Sequence, residues 1–208
     1  MVVRAARTED AKAITAEHPL PRSGDAPAQL YRNYYLAKTL IYVRAPCADI
    51  MTGWVDDRLA GFIFHSADIE KVGRFTKSPR TLAWLVGEAL RGRFGFSPRL
   101  WLNLIRWGAQ HFRQPREYED GDEQSVPDLS AWVGTVQTVP DFRRLGVATA
   151  LLSAIEHRLA AGGATEVALW VALDNEGARA LYERLGYVAS GEFRRVGERC
   201  TLMVKHFQ

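Results

Sequence analysis

The sequence PDFRRLGVATALL, residues 140–152, contains one glycine in a basic turn that runs directly into an apolar series with helical spacing. The N-terminus of a helix has unpaired N–H groups and the positive end of the helix dipole, so a turn of this kind can hold phosphate. The stretch lacks the three glycines of a dinucleotide-binding fingerprint and the glycine–lysine pattern of nucleotide-binding loops. Taken alone, it fits a phosphate-binding turn and a surface turn with two solvated arginines equally well.

Strands and helices alternate around this turn. LSAWVGTVQTV before it predicts a strand, and the apolar spacing after it predicts a helix that ends at a Gly-Gly pair. A strand at EVALWVAL, a helix at NEGARALYERLGY and a last strand at RCTLMVKHF follow. EVALWVAL is almost continuously apolar, which is typical of a central strand covered on both faces. The alternation indicates an α/β domain in three layers with a mixed sheet.

The N-terminal half predicts a short strand, two helices and a hairpin at residues 51–68. Gly61, in the second run of that hairpin, predicts a bulge or the close approach of another backbone. Residues 70–128 contain two segments that open with Ser-Pro-Arg, at Ser78 and Ser97. A capping serine followed by proline in the first turn predicts two amphipathic helices. We therefore expect a single domain, residues 1–208, with a two-helix insertion at residues 70–128.

Composition excludes several classes of protein. The chain has 47% hydrophobic and 25% charged residues, as expected for a globular domain, and its net charge of +3 is too small to indicate nucleic-acid binding. Two distant cysteines make no disulfide framework, and we predict no metal site. The N-terminus does not have the apolar core of a signal peptide, and no apolar run has the ~18 residues that span a bilayer. We expect a soluble, cytoplasmic protein.

The order of the turn RRLGVA, a helix, the strand EVALWV and the helix NEGARALYERLGY resembles the GCN5-related N-acetyltransferase (GNAT) family. The resemblance covers residues 129–208 and is weaker but supportive over the first strand and helix and over the hairpin. It implies an α/β (α+β) fold in which helices flank a central, mixed, mostly antiparallel sheet, with the insertion placed before the central strand. It also implies that the cosubstrate is acetyl-coenzyme A.

The resemblance implies which residues bind that cosubstrate. The amides of the turn would hold the pyrophosphate, with Arg143, Gly146 and Ala148 at the family's motif positions. Family members often have glycine where this chain has Arg144, and alanine often replaces the last glycine, but the backbone does the binding in either case. The preceding strand would pair with the pantetheine arm. The implied cosubstrate-binding residues are Val136, Gln137, Thr138, Val139, Arg143, Arg144, Leu145, Gly146, Val147, Ala148, Thr149, Asn175, Ala178 and Tyr182.

Tyr182 and Asn175 match the family's motif on the second helix. By resemblance, Asn175 contacts the cofactor arm and Tyr182 is the general acid that protonates the departing thiolate, a role that a phenol can fill. Tyr182 also shares a helix face with apolar residues, so it fits an ordinary core aromatic, and Asn175 fits a helix cap.

The amine acceptor must lose a proton, and the sequence offers no clear base. The strand before the turn has no carboxylate, and Gln137 is its only long polar side chain. Asp68, His65 and His111 are candidates, although each also fits a structural or solvent-exposed role, and deprotonation by water needs no base. Cys47 and Cys200 lie outside the motifs, so we expect direct transfer without a covalent acyl-enzyme.

Charge in the insertion indicates what the acceptor could be. Residues 71–116 contain ten Lys or Arg and one acidic residue, Glu88. This fits an anionic, amine-bearing small molecule or a carrier-bound acceptor under a lid formed by the insertion. It also fits solvated helix faces, and a membrane surface is a lesser alternative. Two other functions stay open, an acyltransferase that uses another acyl-coenzyme A or acyl-carrier protein, and an inactive coenzyme A-binding or partner-binding module. A homodimer is also compatible with the sequence.

Overall fold

A computed structural model describes residues 1–18, 28–94, 131–195 and 198–207. Seven strands and six helices alternate along them, with short 3-10 turns at Thr8–Asp10 and Pro140–Phe142. In chain order the elements are β1 (Val2–Ala5), α1 (Ala11–Ala16), α2 (Ala28–Arg44), β2 (Ala48–Val55), β3 (Arg58–Ser66), α3 (Ile69–Thr76), α4 (Pro79–Leu90), β4 (Trp132–Thr138), α5 (Val147–Ala161), β5 (Glu166–Ala172), α6 (Glu176–Arg184), β6 (Val188–Arg195) and β7 (Glu198–His206).

The strands form one sheet in the order β1-β2-β3-β4-β5-β7-β6. All neighbours are antiparallel except β4 and β5, which are parallel, so the predicted mixed and mostly antiparallel sheet is confirmed. Asp56 and Asp57 form the two-residue turn of the β2–β3 hairpin with φ values of 47° and 59°. Positive φ at both turn positions matches the right-handed twist of paired strands, which explains why DDR joins the two runs.

Helices cover both faces of this sheet. Leu151, Leu152 and Ile155 of α5 are fully buried against one face, in a core that also contains Val133 of β4 and Leu169 of β5. On the other face, Ile14 of α1 and Tyr42 and Val43 of α2 pack on Ile50, Phe62 and Phe64. β3 is buried at every position after Arg58, and because successive side chains point to opposite faces, the strand requires two covered faces, which the helices provide.

The central parallel pair separates soon after it forms. β4 and β5 pair at Trp132 and Ala168, where the Ala168 N–H donates to Ala131 O at 3.1 Å, and no further pair joins the two described strands. The other edge of β4 stays paired with β3 as far as Thr138. One edge of β4 therefore faces a gap in the middle of the sheet, on the way to the turn at residues 140–146.

The first predicted helix of the insertion is present as α4. The Ser78 hydroxyl accepts from Thr81 N at 3.2 Å, as the Ser-Pro-Arg sequence predicts. Ala89 packs against α2, whereas Leu82, Val86 and Leu90 of the same apolar series are exposed. The second predicted helix, from Ser97, lies outside the described residues. No helix in the described part of the chain is both long and apolar enough to span a bilayer.

Strand β6 was not expected from the sequence. Its residues, VASGEFRR, show no apolar alternation, and β6 is an outer strand of the sheet whose Val188 side chain is 69% exposed. Because an edge strand buries little surface, the periodicity that reveals a half-buried strand is missing there.

Candidate active site

The turn between β4 and α5 leads into the N-terminus of α5, and we call residues 143–149 the cradle. Arg144 and Gly146 both adopt left-handed conformations, with φ values of 63° and 79°. Gly146 caps α5, no side chain caps its N-terminus, and its first turn contains no acidic residue. The first four N–H groups of a helix have no partners within the helix, so these donors and the dipole favour an anion at the cradle.

The surroundings of the cradle leave it open and basic. A Cβ added at Gly146 would meet no atom within 4 Å, and Arg143, Arg144, Leu145 and Thr149 are exposed. The acidic residue of the preceding turn, Asp141, is bound to the Arg58 guanidinium at 2.7 Å. Two arginines of the cradle are therefore available to an incoming anion, and the nearby carboxylate is already paired.

The edge of β4 leads from the gap to the cradle. Val139 N donates to Ala60 O on β3 at 2.9 Å. Because the N–H and C=O groups of successive residues point to opposite edges of a strand, those of Val136 and Thr138 face the gap between β4 and β5. Gln137 turns its own backbone toward β3, and its side-chain amide donates to Thr138 O at 3.4 Å. This edge can accept an extended chain that carries an amide donor and an amide acceptor.

Asn175 and Tyr182 belong to the helix α6 that follows β5, Asn175 as its N-cap and Tyr182 within it. The Asn175 side chain accepts from Ala178 N at 3.2 Å, so it caps α6 as the sequence allows. Tyr182 is 7% exposed within the main core, with its ring 5.9 Å from that of Tyr187. Burial raises the pKa of Tyr182 to about 12, so its phenol keeps its proton throughout the neutral and mildly alkaline range.

Comparison with known proteins assigns the family. The model of the acetyltransferase (GNAT) family matches residues 18–187. The chain belongs to the GNAT family. The resemblance noted in the sequence and the fold it implies are thereby confirmed.

Solved structures share this GNAT fold across the whole chain. An N-acetyltransferase from Staphylococcus aureus Mu50 covers 98% of this chain and 100% of its own, with a TM-score of 0.64 and 16% identity. The paiA N-acetyltransferase from Thermoplasma acidophilum, solved with coenzyme A, covers 99% of this chain and 98% of its own, with a TM-score of 0.56 and 12% identity. The ribosomal-protein-S18-alanine N-acetyltransferase from Escherichia coli covers 99% of this chain and 92% of its own, with a TM-score of 0.54 and 15% identity. At these identities the likeness establishes the fold alone.

Two of the candidate bases of this GNAT protein have structural roles. Asp68 caps α3, where its carboxylate accepts from Lys71 N at 2.8 Å and binds Lys71 Nζ at 2.9 Å. The hydrogen bond from that backbone amide, more than any other contact, lowers the pKa of Asp68 and so weakens it as a base. His65 is buried beside the C-terminal end of α5, the end opposite the cradle. His111 lies outside the described residues.

Burial of His65 makes the stability of the fold depend on the protonation of this side chain. Burial first, and the positive Arg158 second, lower the pKa of His65 to about 4. Neither ring nitrogen has a hydrogen-bond partner among the described residues. The neutral form is therefore the one that the fold accommodates, and protonation of this ring opposes folding.

We expect the free energy of unfolding to fall as pH decreases from 6.5 to 4. In that window His65 binds a proton in the unfolded chain but stays largely neutral in the folded protein. This difference lowers the free energy of unfolding by about 3 kcal/mol at pH 4. Urea unfolding of wild type, His65→Phe and His157→Gln between pH 7 and pH 4 measures this term. His157 is an exposed control. Acid sensitivity that is the same in all three proteins would contradict the assignment.

Ion pairs neutralise much of the basic charge in the described part of the insertion. Lys71 pairs with Asp68, Arg74 with Glu70, and Glu88 binds both Arg91 and Arg93. Asp68 and Glu70 precede the counted segment, so they were not weighed against its lysines and arginines. Trp84 is half-buried, and the Arg44 guanidinium lies 4.5 Å from the centre of its ring.

The structure also shows a contact residue that the sequence did not single out. Arg58 follows the hairpin turn and reaches Asp141 across 83 residues of chain. Its guanidinium also lies 5.0 Å from the centre of the Phe142 ring. No local pattern could reveal such a contact, because it depends on how the hairpin packs beside the cradle.

Proposed function

We propose that this GNAT protein transfers an acetyl group from acetyl-coenzyme A directly to a primary amine. Acetyl-coenzyme A is the cosubstrate, as membership of the family implies. The observation that carries the proposal is that two features follow each other along the chain. They are the free edge of β4 beside the sheet gap and the N-terminus of α5, which no side chain caps. An anionic group linked to an amide-bearing arm matches both.

The described residues fit this cosubstrate. The amides of the cradle would bind the pyrophosphate, and the open space above Gly146 leaves room for it. Val136 and Thr138 would pair with the amides of the pantetheine arm as a neighbouring strand does. Arg143 and Arg144 would add charge at the rim, and Asn175 would contact the arm while it caps α6.

Tyr182 is the proposed general acid. When bound, acetyl-coenzyme A supplies a thioester whose thiolate must leave as the amide forms. A phenol with a raised pKa remains protonated and can hydrogen-bond to this sulfur or protonate it. The neighbouring Tyr187 is more deeply buried, at 2% exposure, and serves the core.

The two cysteines support direct transfer. Cys200 is buried in β7, and Cys47 is half-buried before β2. Burial, followed by the negative charge of Asp68, raises the pKa of the Cys47 thiol, so it is a poor nucleophile at neutral pH. The acceptor we propose is an amine-bearing small molecule or carrier-bound amine, with the insertion at residues 70–128 as the lid over it.

A panel assay tests this function. Release of free thiol from acetyl-coenzyme A is followed with amines, amino sugars, amino acids, peptides and their phosphorylated forms, and products are identified by mass spectrometry. Propionyl- and octanoyl-coenzyme A replace the acetyl donor in parallel. An acetylated amine with faster release from the acetyl donor supports the proposal. Coenzyme A binding without release for any acceptor supports the binding module, and preference for a longer donor supports the other acyltransferase.

A further inference from the structure

The turn end of the β2–β3 hairpin contacts the cradle and the chain that leads into it through three residues of β3. Ala60 O accepts from Val139 N at 2.9 Å. Arg58 binds Asp141 at 2.7 Å in the turn that leads into the cradle. Gly61 lies against Gln137 near the end of β4 and against Val147, the first residue of α5. All three contacts come from four consecutive positions of β3.

The lack of a side chain at Gly61 permits this approach. A Cβ there would lie 2.6 Å from Gln137 O, 2.9 Å from Val147 Cγ1 and 3.3 Å from Leu151 Cδ1. The first of these is a backbone atom of β4 and the second belongs to the residue that begins α5. A methyl group at Gly61 would therefore displace β4 at the Gln137 backbone, which cannot yield as a flexible side chain does, and would press on α5 through the Val147 side chain.

A second glycine provides a natural comparison. Gly53 pairs with Gly61 across the hairpin and also faces Val147 and Leu151, but a Cβ there would lie 3.6 Å and 3.9 Å from them. Those are ordinary contact distances. The register shifts at the next position, where Trp54 pairs with Leu59. Ala60 is therefore the extra residue of a β-bulge in β3. This bulge turns the Ala60 carbonyl toward Val139.

We propose that Gly61 is a positioning residue for acetyl-coenzyme A, because it sets the distance between the N-terminus of α5 and β4. This inference rests on the proposed function, in which both features bind the cosubstrate. The phosphate-binding amides and the free edge of β4 can bind one ligand together only at one separation. Gly61 packs against β4 at Gln137 O and against the first residue of α5 at the Val147 side chain. Gly61 does not touch the cosubstrate itself.

Calorimetric binding of coenzyme A and steady-state kinetics of wild type, Gly61→Ala and Gly53→Ala test this. We expect Gly61→Ala to raise the coenzyme A Kd and the acetyl-coenzyme A KM at least tenfold while kcat changes less than threefold. Gly53→Ala should change each less than twofold. Wild-type affinity in Gly61→Ala, or equal losses in both variants, overturns the inference.

Two further variants separate positioning from instability and from failure of the proposed site. Leu40→Ala removes a buried side chain of α2 that lies outside the core cluster of Val147 and Leu151, so it is the control for a general loss of stability. A tenfold rise in its Kd would also overturn the inference. Gly146→Val tests the cradle itself. If wild type does not bind coenzyme A, or if Gly146→Val binds it as tightly as wild type, the proposed function fails instead. Should Gly61→Ala not fold, Arg58→Ala replaces it, with an expected Kd rise of about threefold, and an unchanged Kd overturns the inference.

Discussion

Gly146→Val is expected to raise the KM for acetyl-coenzyme A about a hundredfold and to lower the melting temperature only modestly. Gly146 has a φ of 79°, and a Cβ on it would point into open space at the cradle. A branched side chain would fill the position of the phosphate, and loss of one or two charge-assisted hydrogen bonds of about 1.5–3 kcal/mol each corresponds to this factor. Left-handed strain adds about 1–2 kcal/mol of destabilisation.

The opposite end of the same helix provides the control for this strain. Gly163 follows α5 with a φ of 86°, and a Cβ on it also meets no atom within 4 Å. Gly163→Val should therefore show a similar drop in melting temperature with an unchanged KM. Steady-state kinetics and thermal unfolding of both variants decide the point, and equal KM values would remove the cradle from the binding site.

Tyr182→Phe is expected to reduce kcat about a hundredfold, within the range that general acids contribute, and to change the KM for acetyl-coenzyme A less than threefold. The ring stays in the core, so only the hydroxyl is lost. Thiol release at saturating substrates measures the effect. Tyr187→Phe, which removes a hydroxyl from a ring 5.9 Å away, is the matched control.

Two outcomes would contradict the role of Tyr182. One is full turnover in Tyr182→Phe, and the other is an equal loss in Tyr187→Phe. The pKa of about 12 adds a second check, since wild-type kcat should show no loss near pH 10 from this group. A phenol that titrated at its ordinary value would produce such a loss.

Local patterns predicted the features of the fold that depend on local chemistry. The Gly146 turn, the Asn175 cap and the Ser78 cap each follow from hydrogen bonds within a few residues. The charge count over residues 71–116 was less informative, because Asp68 and Glu70, just before that segment, bind Lys71 and Arg74. Pairing of this kind depends on which side chains a helix turn brings together.

Features that depend on distant segments could not be predicted in the same way. The burial of His65 against α5, the reach of Arg58 to Asp141 and the separation of β4 from β5 are results of packing between elements. Gly61 is an intermediate case. The sequence predicted a close approach there, and the structure identifies Gln137 and Val147 as the neighbours.

The single parallel pair between β4 and β5 divides the sheet into two antiparallel halves, β1 to β4 and β5 to β7. Hydrogen-bond cooperativity is interrupted at this seam, and the side chains of α5 join the halves in its place. Amide protons on the facing edges of β4 and β5 should therefore exchange with deuterium much sooner than those between β2 and β3. In the proposed complex, an arm bound in the seam would take the place of a missing strand, so ligand binding would also join the two halves of the sheet.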